Sequence, residues 1–360
     1  MNGISAPAPV TGLPARYFTD TQVFARAREN IFFRTWQYAC HAGDVANAGD
    51  FVAFTLFDQD LFVMRGDDGA IGAFYNVCRH RGHKLLEGSG NRRAIICPYH
   101  AWRYDRAGKL RAAPHSDAVA GFVRENIALH RVRVEEFLGF VFVNLDADAK
   151  PLGECYPGVR EALLELCPGI DSMLPAHEFS ANEECNWLIA VENYNECYHC
   201  KTAHPDFADG VIDAASYSIA PFGGGRCLRH RARANAGGNA WYPMSGKKYG
   251  SFYLWPAAAI QVYPGGVLNA YCWRPLGVDE TEVRRLWFSP DGAVDAELQK
   301  LIALDRDRTF AEDLQLVKNV QRGVRSRGFA PGPLIINPDG GIDDESPVAA
   351  LHEWMRAAVD

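Results

Sequence analysis

Residues 78–110 read CRHRGHKLLEGSGNRRAIICPYHAWRYDRAGKL and contain two short pairs of metal-binding side chains. Cys78 and His80 form a Cys-x-His pair, and after sixteen intervening residues Cys97 and His100 form a Cys-x2-His pair. Four such ligands could hold zinc, but zinc fingers usually keep the two cysteines together and the two histidines together. One thiolate and one imidazole in each pair instead favour a [2Fe-2S] cluster in which two imidazoles replace two thiolates.

The same stretch resembles the cluster motif of the Rieske-type oxygenases almost from end to end. That resemblance implies a Rieske [2Fe-2S] cluster held by four residues: Cys78, His80, Cys97 and His100. His83 lies in the same loop, but the four-ligand pattern is complete without it, so we expect it to make only local hydrogen bonds. Trp102 and Tyr104 are expected to pack around the cluster loops.

A second group of candidate ligands lies in residues 192–205, ENYNECYHCKTAHP. We predict that a strand-like run at 187–191 leads into a helix that continues through Cys200. Residues spaced by three or four positions share a helix face. The helix would therefore place three side chains together: Glu192, Glu196 and His199.

His204 lies five residues after His199, a spacing that a straight helix would rotate off the same face. Pro205 disfavours the α conformation at His204, so this residue can turn back toward His199 just beyond the helix end. Two imidazoles and one carboxylate form the facial triad of non-heme iron(II) oxygenases. The pattern predicts such a triad and requires a carboxylate from elsewhere in the chain.

A long amphipathic helix is predicted at about 296–323, and it offers several acids. Asp313 shares an apolar face with Phe310, Leu314 and Val317, where an acid is costly unless it is paired or binds a metal. The residues alone leave three rivals open: Asp305, Asp307 and Glu312. The segment AEDLQLVKNVQRG (311–323) is similar to the late helix of the family, and this resemblance implies that Asp313 is the third iron ligand.

Glu196 has a separate role in the resemblance. The family has an acid three residues before the first iron histidine, which links the iron site to a Rieske histidine of a neighbouring subunit. Most ring-hydroxylating members have Asp there, whereas the Glu of this chain resembles the choline, carnitine and glycine betaine monooxygenases. The alternative is that Glu196 only orients His199. Cys197 and Cys200 flank the site, and we expect neither to bind iron.

Short strands fill residues 50–144, for example 51–54, 61–64 and 137–144, and further strands fill 254–288 with a turn at 264–266. The order of elements predicts an α+β fold. The resemblance implies an all-β Rieske domain inserted before a helix-grip (START-like) catalytic domain with an antiparallel sheet and a long helix. We place the domains at 1–40 (an N-terminal helical segment packing on the catalytic domain), 41–148 (Rieske) and 149–360 (catalytic).

Composition limits the function classes. The 360 residues are 48% hydrophobic and 22% charged, which is typical of a folded globular protein. The net charge is −7 and there is no basic block, so no nucleic-acid partner is expected. No run approaches about 18 apolar residues, so no membrane span is expected. The start of the chain lacks a secretory pattern, so we expect a cytoplasmic protein in which the ten cysteines do not form a disulfide framework.

The leading hypothesis is the terminal oxygenase component of a Rieske monooxygenase. The resemblance implies a Rieske cluster, mononuclear Fe(II), O2 as co-substrate and a homotrimer in which the cluster of one subunit serves the iron of the next. Since no Gly-rich dinucleotide fingerprint is evident, NAD(P)H should bind a separate flavin/iron-sulfur reductase. Alternatives are a Rieske electron carrier, a ligand-binding domain on a degenerate scaffold, or an aromatic-ring hydroxylating dioxygenase.

An aromatic-rich window suggests the substrate. Nine aromatic residues lie between Trp241 and Trp273, a window without Asp or Glu. Aromatic faces can hold a trimethylammonium group by cation–π attraction, although most aromatics in strands belong to the core. With Glu196, this window favours hydroxylation or N-demethylation of a small quaternary ammonium compound such as glycine betaine, choline, carnitine or proline betaine. The candidate pocket residues are Tyr194, Trp255, Tyr263 and Tyr271.

Overall fold

The computed structural model describes residues 9–235 and 248–360, and the chain divides into two compact units. One unit is Phe32–Leu152, and the other combines the chain up to Ile31 with Gly153–Asp360. The α+β fold is confirmed, with an all-β unit and a unit built from one antiparallel sheet and helices. Trp241 and Tyr242, two of the nine aromatics in the substrate window, lie outside the described residues.

The N-terminal segment forms two helices, α1 (Arg16–Thr19) and α2 (Thr21–Asn30). The Asp20 side chain caps α2 by accepting hydrogen bonds from the backbone N–H groups of Gln22 and Val23. A 3-10 turn at Phe32–Arg34 follows.

The all-β unit contains ten short strands in two sheets. The larger sheet has the order β1-β10-β9-β4-β3-β2-β5, and the smaller has the order β6-β7-β8. The strands are β1 (Gln37–His41), β2 (Asp50–Leu56), β3 (Gln59–Arg65), β4 (Ile71–Tyr75), β5 (Ser89–Asn91), β6 (Ile95–Ile96), β7 (Arg103–Tyr104), β8 (Leu110–Ala112), β9 (Arg131–Phe137) and β10 (Phe140–Asn144).

The run 137–144, predicted as a strand, contains a turn. Phe137 ends β9, Phe140 begins β10, and the two strands pair as an antiparallel hairpin. Leu138 and Gly139 form the turn, both with positive φ (54° and 84°). The apolar character of Leu138 hides this turn in the sequence, because a buried leucine does not signal a chain reversal.

The second unit has seven antiparallel strands in the order β11-β17-β16-β15-β14-β13-β12. From the unit boundary onward the elements are α3 (Leu152–Cys155), α4 (Val159–Leu166), β11 (Leu174–Glu183), α5 (Trp187–Tyr194), α6 (Cys200–Ala203), α7 (Pro205–Ala208), β12 (Ser218–Pro221), β13 (Cys227–Arg233), β14 (Lys248–Leu254), β15 (Ala258–Tyr263), β16 (Val267–Gly277), β17 (Glu280–Ser289), α8 (Ala296–Leu304), α9 (Phe310–Val324) and α10 (Ser346–Val359).

The strand predicted at 187–191 is wrong, because these residues begin helix α5. Asn186 caps the helix, its side chain accepting a hydrogen bond from the Leu188 N–H at 3.0 Å. Residues 187–191 are all buried, so the run has no polar side whose period could distinguish a helix from a strand. The helix ends at Tyr194, so Glu196 and His199 lie beyond it.

The long helix predicted at about 296–323 is confirmed and contains an unpredicted irregularity. A π-helical segment, Asp305–Thr309, separates α8 from α9. Such segments occur frequently at functional sites. Helix α10 closes the chain, and the Arg26 side chain donates a hydrogen bond to the Val359 carbonyl near its end (2.8 Å). Among the described helices none is both long and apolar enough to cross a membrane.

Candidate active site

The first candidate site lies in two loops of the all-β unit, residues 78–83 after β4 and 97–102 after β6. Cys78 and Cys97 are each 2% exposed and lie in the hydrophobic core of this unit. The His80 and His100 rings lie nearer the surface with their centroids 4.6 Å apart. The structure therefore brings the four predicted cluster residues together, the cysteines inside and the histidines outside.

The two loops share one backbone pattern. The Cys78 N–H donates to the His83 carbonyl and the Gly82 N–H donates to the Cys78 carbonyl, at 2.8 and 3.0 Å. In the second loop the Cys97 N–H donates to the Trp102 carbonyl and the Ala101 N–H to the Cys97 carbonyl, at 2.9 and 3.0 Å. The residue four positions after each cysteine has positive φ, 74° at Gly82 and 56° at Ala101.

The side chains around these loops fit a cluster. The Tyr104 hydroxyl lies 3.3 Å from Cys78 Sγ and accepts a hydrogen bond from the Arg79 N–H. The Trp102 ring stacks on the His80 ring at 4.8 Å, so both aromatics pack around the loops as predicted. His100 Nδ1 is buried without a hydrogen-bond partner. This is expected of a nitrogen that coordinates a metal.

The second candidate site joins three side chains from α9 and the segment before α7. Ligand atoms of His199, His204 and Asp313 all lie within 4.8 Å of one another. His204 Nε2 is 3.1 Å from His199 Nε2 and 2.9 Å from Asp313 Oδ1, and His199 Nε2 is 3.6 Å from the same oxygen. Two imidazoles and one carboxylate that converge in this way fit a mononuclear non-heme iron.

The other nitrogen of each histidine contacts a glutamate. His199 Nδ1 contacts Glu196 Oε1, and His204 Nδ1 lies 2.8 Å from Glu312 Oε2. Although burial alone would lower it, the carboxylates of Asp313 and Glu312 raise the pKa of His204. Glu196 reaches His199 through a turn in which its Oε2 accepts the Tyr198 N–H at 2.6 Å, and not along a helix face as predicted.

Glu192 also differs from the prediction of a shared face. It lies in α5, and its Oε1 is 2.8 Å from Nε2 of His352 in α10. Because the helix ends at Tyr194, the i to i+4 relation between Glu192 and Glu196 is not formed. Glu192 therefore links two helices and does not bind the triad.

Cys197 and Cys200 form a disulfide that was not predicted. The bond spans three positions and encloses Tyr198 and His199 in a short covalent ring. Neither sulfur belongs to the triad. Cys78 and Cys97 keep free thiols.

The rivals of Asp313 have other partners. Asp305, in the π segment, is 3% exposed and forms a buried ion pair with Arg285, and the Tyr271 hydroxyl donates to it at 3.0 Å. Asp307 is exposed and pairs with Arg306. Asp313 is held by the Asn193 side chain, whose Nδ2 donates to Oδ1 at 3.1 Å.

A cavity of about 70 Å³ adjoins the triad, and six aromatic side chains line it together with polar groups that include Arg285 and Asp305. Its aromatic lining residues are Tyr194, Phe207, Tyr217, Tyr249, Tyr263 and Tyr271. Three of the four predicted pocket residues therefore line this cavity: Tyr194, Tyr263 and Tyr271. Trp255 does not line this cavity, because it is 1% exposed in the core and packs edge-to-face on Trp187 and Trp354. The prediction for Trp255 is corrected accordingly.

One buried polar chain in the wall was not predicted. His230 Nδ1 accepts from the Tyr217 hydroxyl at 2.9 Å, and its Nε2 donates to Asn195 Oδ1 at 3.1 Å. Burial lowers the pKa of His230 to about 3, so the ring is neutral. A lone histidine in a strand gives no signal in the sequence. Asn195 gives no signal either, because its neighbours Glu192, Asn193 and Glu196 are also polar.

Two family models match the chain. Residues 35–123 match the Rieske [2Fe-2S] domain, and residues 170–360 match the ring hydroxylating alpha subunit (catalytic domain). Together the two matches include both candidate sites.

Known proteins match this chain over most of its length. The carnitine monooxygenase oxygenase subunit of Escherichia coli (strain K12) is 34% identical over 360 residues, which cover 98% of this chain and 95% of the relative. The glycine betaine monooxygenase oxygenase subunit of Pseudomonas aeruginosa (strain PAO1) is 27% identical, covering 89% and 84%. The crystal structure of a quaternary ammonium Rieske monooxygenase, CntA, in complex with L-carnitine matches with a TM-score of 0.87 at 31% identity, covering 97% of this chain and 96% of CntA.

Proposed function

The chain belongs to the ring-hydroxylating alpha subunits that carry a Rieske domain, and we propose that it hydroxylates a small quaternary ammonium compound. The family makes it an oxidoreductase of the Rieske monooxygenase type, with a [2Fe-2S] cluster, a mononuclear iron, O2 and NAD(P)H supplied through a reductase. One observation carries the proposal for the substrate: the triad adjoins a cavity whose lining includes five tyrosines and one phenylalanine.

The cluster ligands follow from the two loops. We assign this role to Cys78, His80, Cys97 and His100. In support, both thiols are buried, both imidazoles face outward, and the matched loop hydrogen bonds hold each cysteine backbone in the same way. The outward histidines would place the cluster edge near the surface, where a redox partner can approach.

The iron ligands are His199, His204 and Asp313. Because the Glu196 and Glu312 carboxylates can only accept, Nδ1 of each histidine carries the proton and Nε2 presents its lone pair to the shared point. Asn193 fixes the orientation of Asp313 in the same way. When bound, the iron supplies the oxygen-activating chemistry, and these hydrogen bonds keep its three ligands in place.

Glu196 also serves, in this proposal, to couple the triad to the cluster of a neighbouring subunit in a homotrimer. In support, its carboxylate contacts His199, and Glu196 also lines a groove of about 430 Å³. A carboxylate between a ligand and such a groove can take part in a hydrogen-bonded connection to a partner surface.

The substrate cavity explains how a trimethylammonium group would be held. Such a group offers no N–H donor, so aromatic faces are its natural partners, at about 2 kcal/mol for a desolvated contact. The Tyr271 ring already contacts a cation, because the Arg285 guanidinium, which is paired with Asp305, lies 4.3 Å from its centroid. A cation held by ring faces can turn an N-methyl group toward the triad while the rings exclude water. The expected product is an N-hydroxymethyl compound that releases formaldehyde, or an alcohol at the adjacent carbon.

The test is oxygen consumption by the metal-loaded enzyme with a matched reductase. We expect uptake with glycine betaine, choline, carnitine or proline betaine, with formaldehyde or a hydroxylated product formed in equal amount. His199→Ala, His204→Ala and Asp313→Ala should each abolish product while the cluster absorbance remains. Coupled uptake with benzoate-like acids alone would refute the proposed substrate class.

A further inference from the structure

Gln261 is a polar residue in the aromatic wall of the cavity. It lies on β15, is 2% exposed, and lines the same cavity as the triad. Its Nε2 donates to the Tyr249 hydroxyl at 2.7 Å. Its Oε1 is buried and has no hydrogen-bond partner.

The neighbours of Gln261 on the sheet have their donors engaged elsewhere. Ser251 and Asn269 are directly opposite Gln261 on the two adjacent strands. The Ser251 hydroxyl is 2.6 Å from the Tyr194 hydroxyl, and Asn269 Nδ2 donates to the Leu286 carbonyl at 3.0 Å. Gln261 thus brings an acceptor without a partner to a cavity that is also lined by several tyrosines and by the Arg285–Asp305 ion pair.

A buried acceptor without a partner costs about 1–3 kcal/mol, so it favours an occupant that brings a donor. A trimethylammonium group has no donor, and neither has a carboxylate at neutral pH. An alcohol does. We propose that Gln261 Oε1 accepts a hydrogen bond from a hydroxyl group of the substrate, so that the site prefers hydroxyl-bearing quaternary ammonium compounds. This inference rests on the proposed function and narrows its substrate class.

The probe is a pair of compounds that differ only by that hydroxyl, L-carnitine and γ-butyrobetaine. We expect the wild-type enzyme to prefer carnitine by about tenfold or more in kcat/KM, since tenfold corresponds to about 1.4 kcal/mol. Gln261→Met keeps the length of the side chain and removes the acceptor, and it should bring the ratio to about one. Gln261→Glu keeps a side-chain oxygen and should retain most of the preference.

Binding supplies a second readout that does not need turnover. The dissociation constants of the two compounds, measured by calorimetry, should differ in wild type and converge in Gln261→Met. Gln299→Met makes the same chemical change at an exposed position of α8 and should leave the ratio unchanged. If Gln261 had only a structural role, Gln261→Met would lower kcat/KM and the affinity for both compounds equally and leave the ratio unchanged.

The outcomes separate the two proposals. If both compounds are turned over with equal kcat/KM, or if Gln261→Met preserves the wild-type ratio, the role of Gln261 is wrong and the substrate class stands. If neither compound binds nor is turned over, and the other quaternary ammonium compounds also fail, both proposals are wrong.

Discussion

His204 shows how one side chain in the triad depends on two neighbouring acids of the same helix. Its Nε2 faces Asp313 and its Nδ1 faces Glu312, which are consecutive residues of α9. The two side chains point about 100° apart, and the imidazole ring lies between them with one nitrogen toward each. The sequence suggested Glu312 only as a rival ligand. In the structure it instead contacts His204, the proposed iron ligand, and holds its ring in place.

We therefore expect Glu312→Ala to weaken iron binding by about 10- to 100-fold while the cluster remains intact, because His204 loses the partner that fixes its tautomer. Iron retained after dialysis against graded chelator, with cluster absorbance as the internal standard, measures the effect. Glu297→Ala removes an exposed acid of α8 that pairs only with Lys300 and should bind iron normally. Equal retention by Glu312→Ala and wild type would show that Glu312 does not support the ligand.

At the scale of elements, the paired cluster loops differ at one position. Gly82 adopts positive φ without cost from a side chain, whereas Ala101 adopts the same region with a Cβ, at roughly 1–2 kcal/mol. A Cβ built on Gly82 meets no atom within 4 Å, so only the backbone decides the effect of a substitution there. Substitutions at these two positions can therefore measure the free-energy cost of positive φ for a residue that has a Cβ.

We expect Ala101→Gly to stabilise the cluster unit by about 1 kcal/mol and Gly82→Ala to destabilise it by a similar amount. The temperature at which the cluster absorbance is lost should rise in the first variant and fall in the second. Ala128→Gly, at an exposed alanine without positive φ, should lower this temperature slightly. A fall with Ala101→Gly would mean that the alanine methyl makes a contact that outweighs the strain.

Elements were predictable from the sequence where pattern and chemistry agree. The cluster loops and the long helix were predicted because their ligand spacing and apolar period are local features. Helix α5 was missed because five consecutive buried residues have no polar side to reveal a period. The Cys197–Cys200 bond, the Arg285–Asp305 pair and the Gln261 amide were missed because their partners or surroundings depend on how the chain folds.

Across the catalytic unit, one buried acid should govern how stability depends on pH. Burial raises the pKa of Glu183 from 4.5 to about 8, although Arg285 opposes the shift, and its Oε2 has no hydrogen-bond partner. Between these two pKa values the folded protein holds a proton that the unfolded chain has lost. The free energy of unfolding therefore falls as pH rises through this range, by up to a few kcal/mol.

Glu183→Gln removes the titration and should make the unfolding midpoint flatter between pH 5 and pH 8, with the variant more stable than wild type at pH 8. Denaturant unfolding at four or five pH values tests this. Glu184→Gln changes the neighbouring exposed acid, which pairs with Lys318, and should keep the wild-type slope. An unchanged slope in Glu183→Gln would assign the pH dependence to another group.

For the assembled enzyme, the proposed trimer predicts complementation between two inactive subunits. His100→Ala should lack the cluster and keep the triad, whereas His199→Ala should lack the iron and keep the cluster. If electrons pass only between neighbours in a ring, randomly mixed trimers should regain up to about a quarter of wild-type activity per subunit. Each variant alone is the control, and no recovery in verified mixed trimers would contradict transfer between subunits.

His230 keeps its charge state unchanged when the pH falls into the mildly acidic range. Both of its ring nitrogens are in buried hydrogen bonds, and its pKa of about 3 lies below the range in which enzymes usually work. A histidine beside a cation site usually becomes a positive charge in mild acid and repels its guest. Here His230 stays neutral, so it adds no positive charge beside the proposed cation site in a mildly acidic medium.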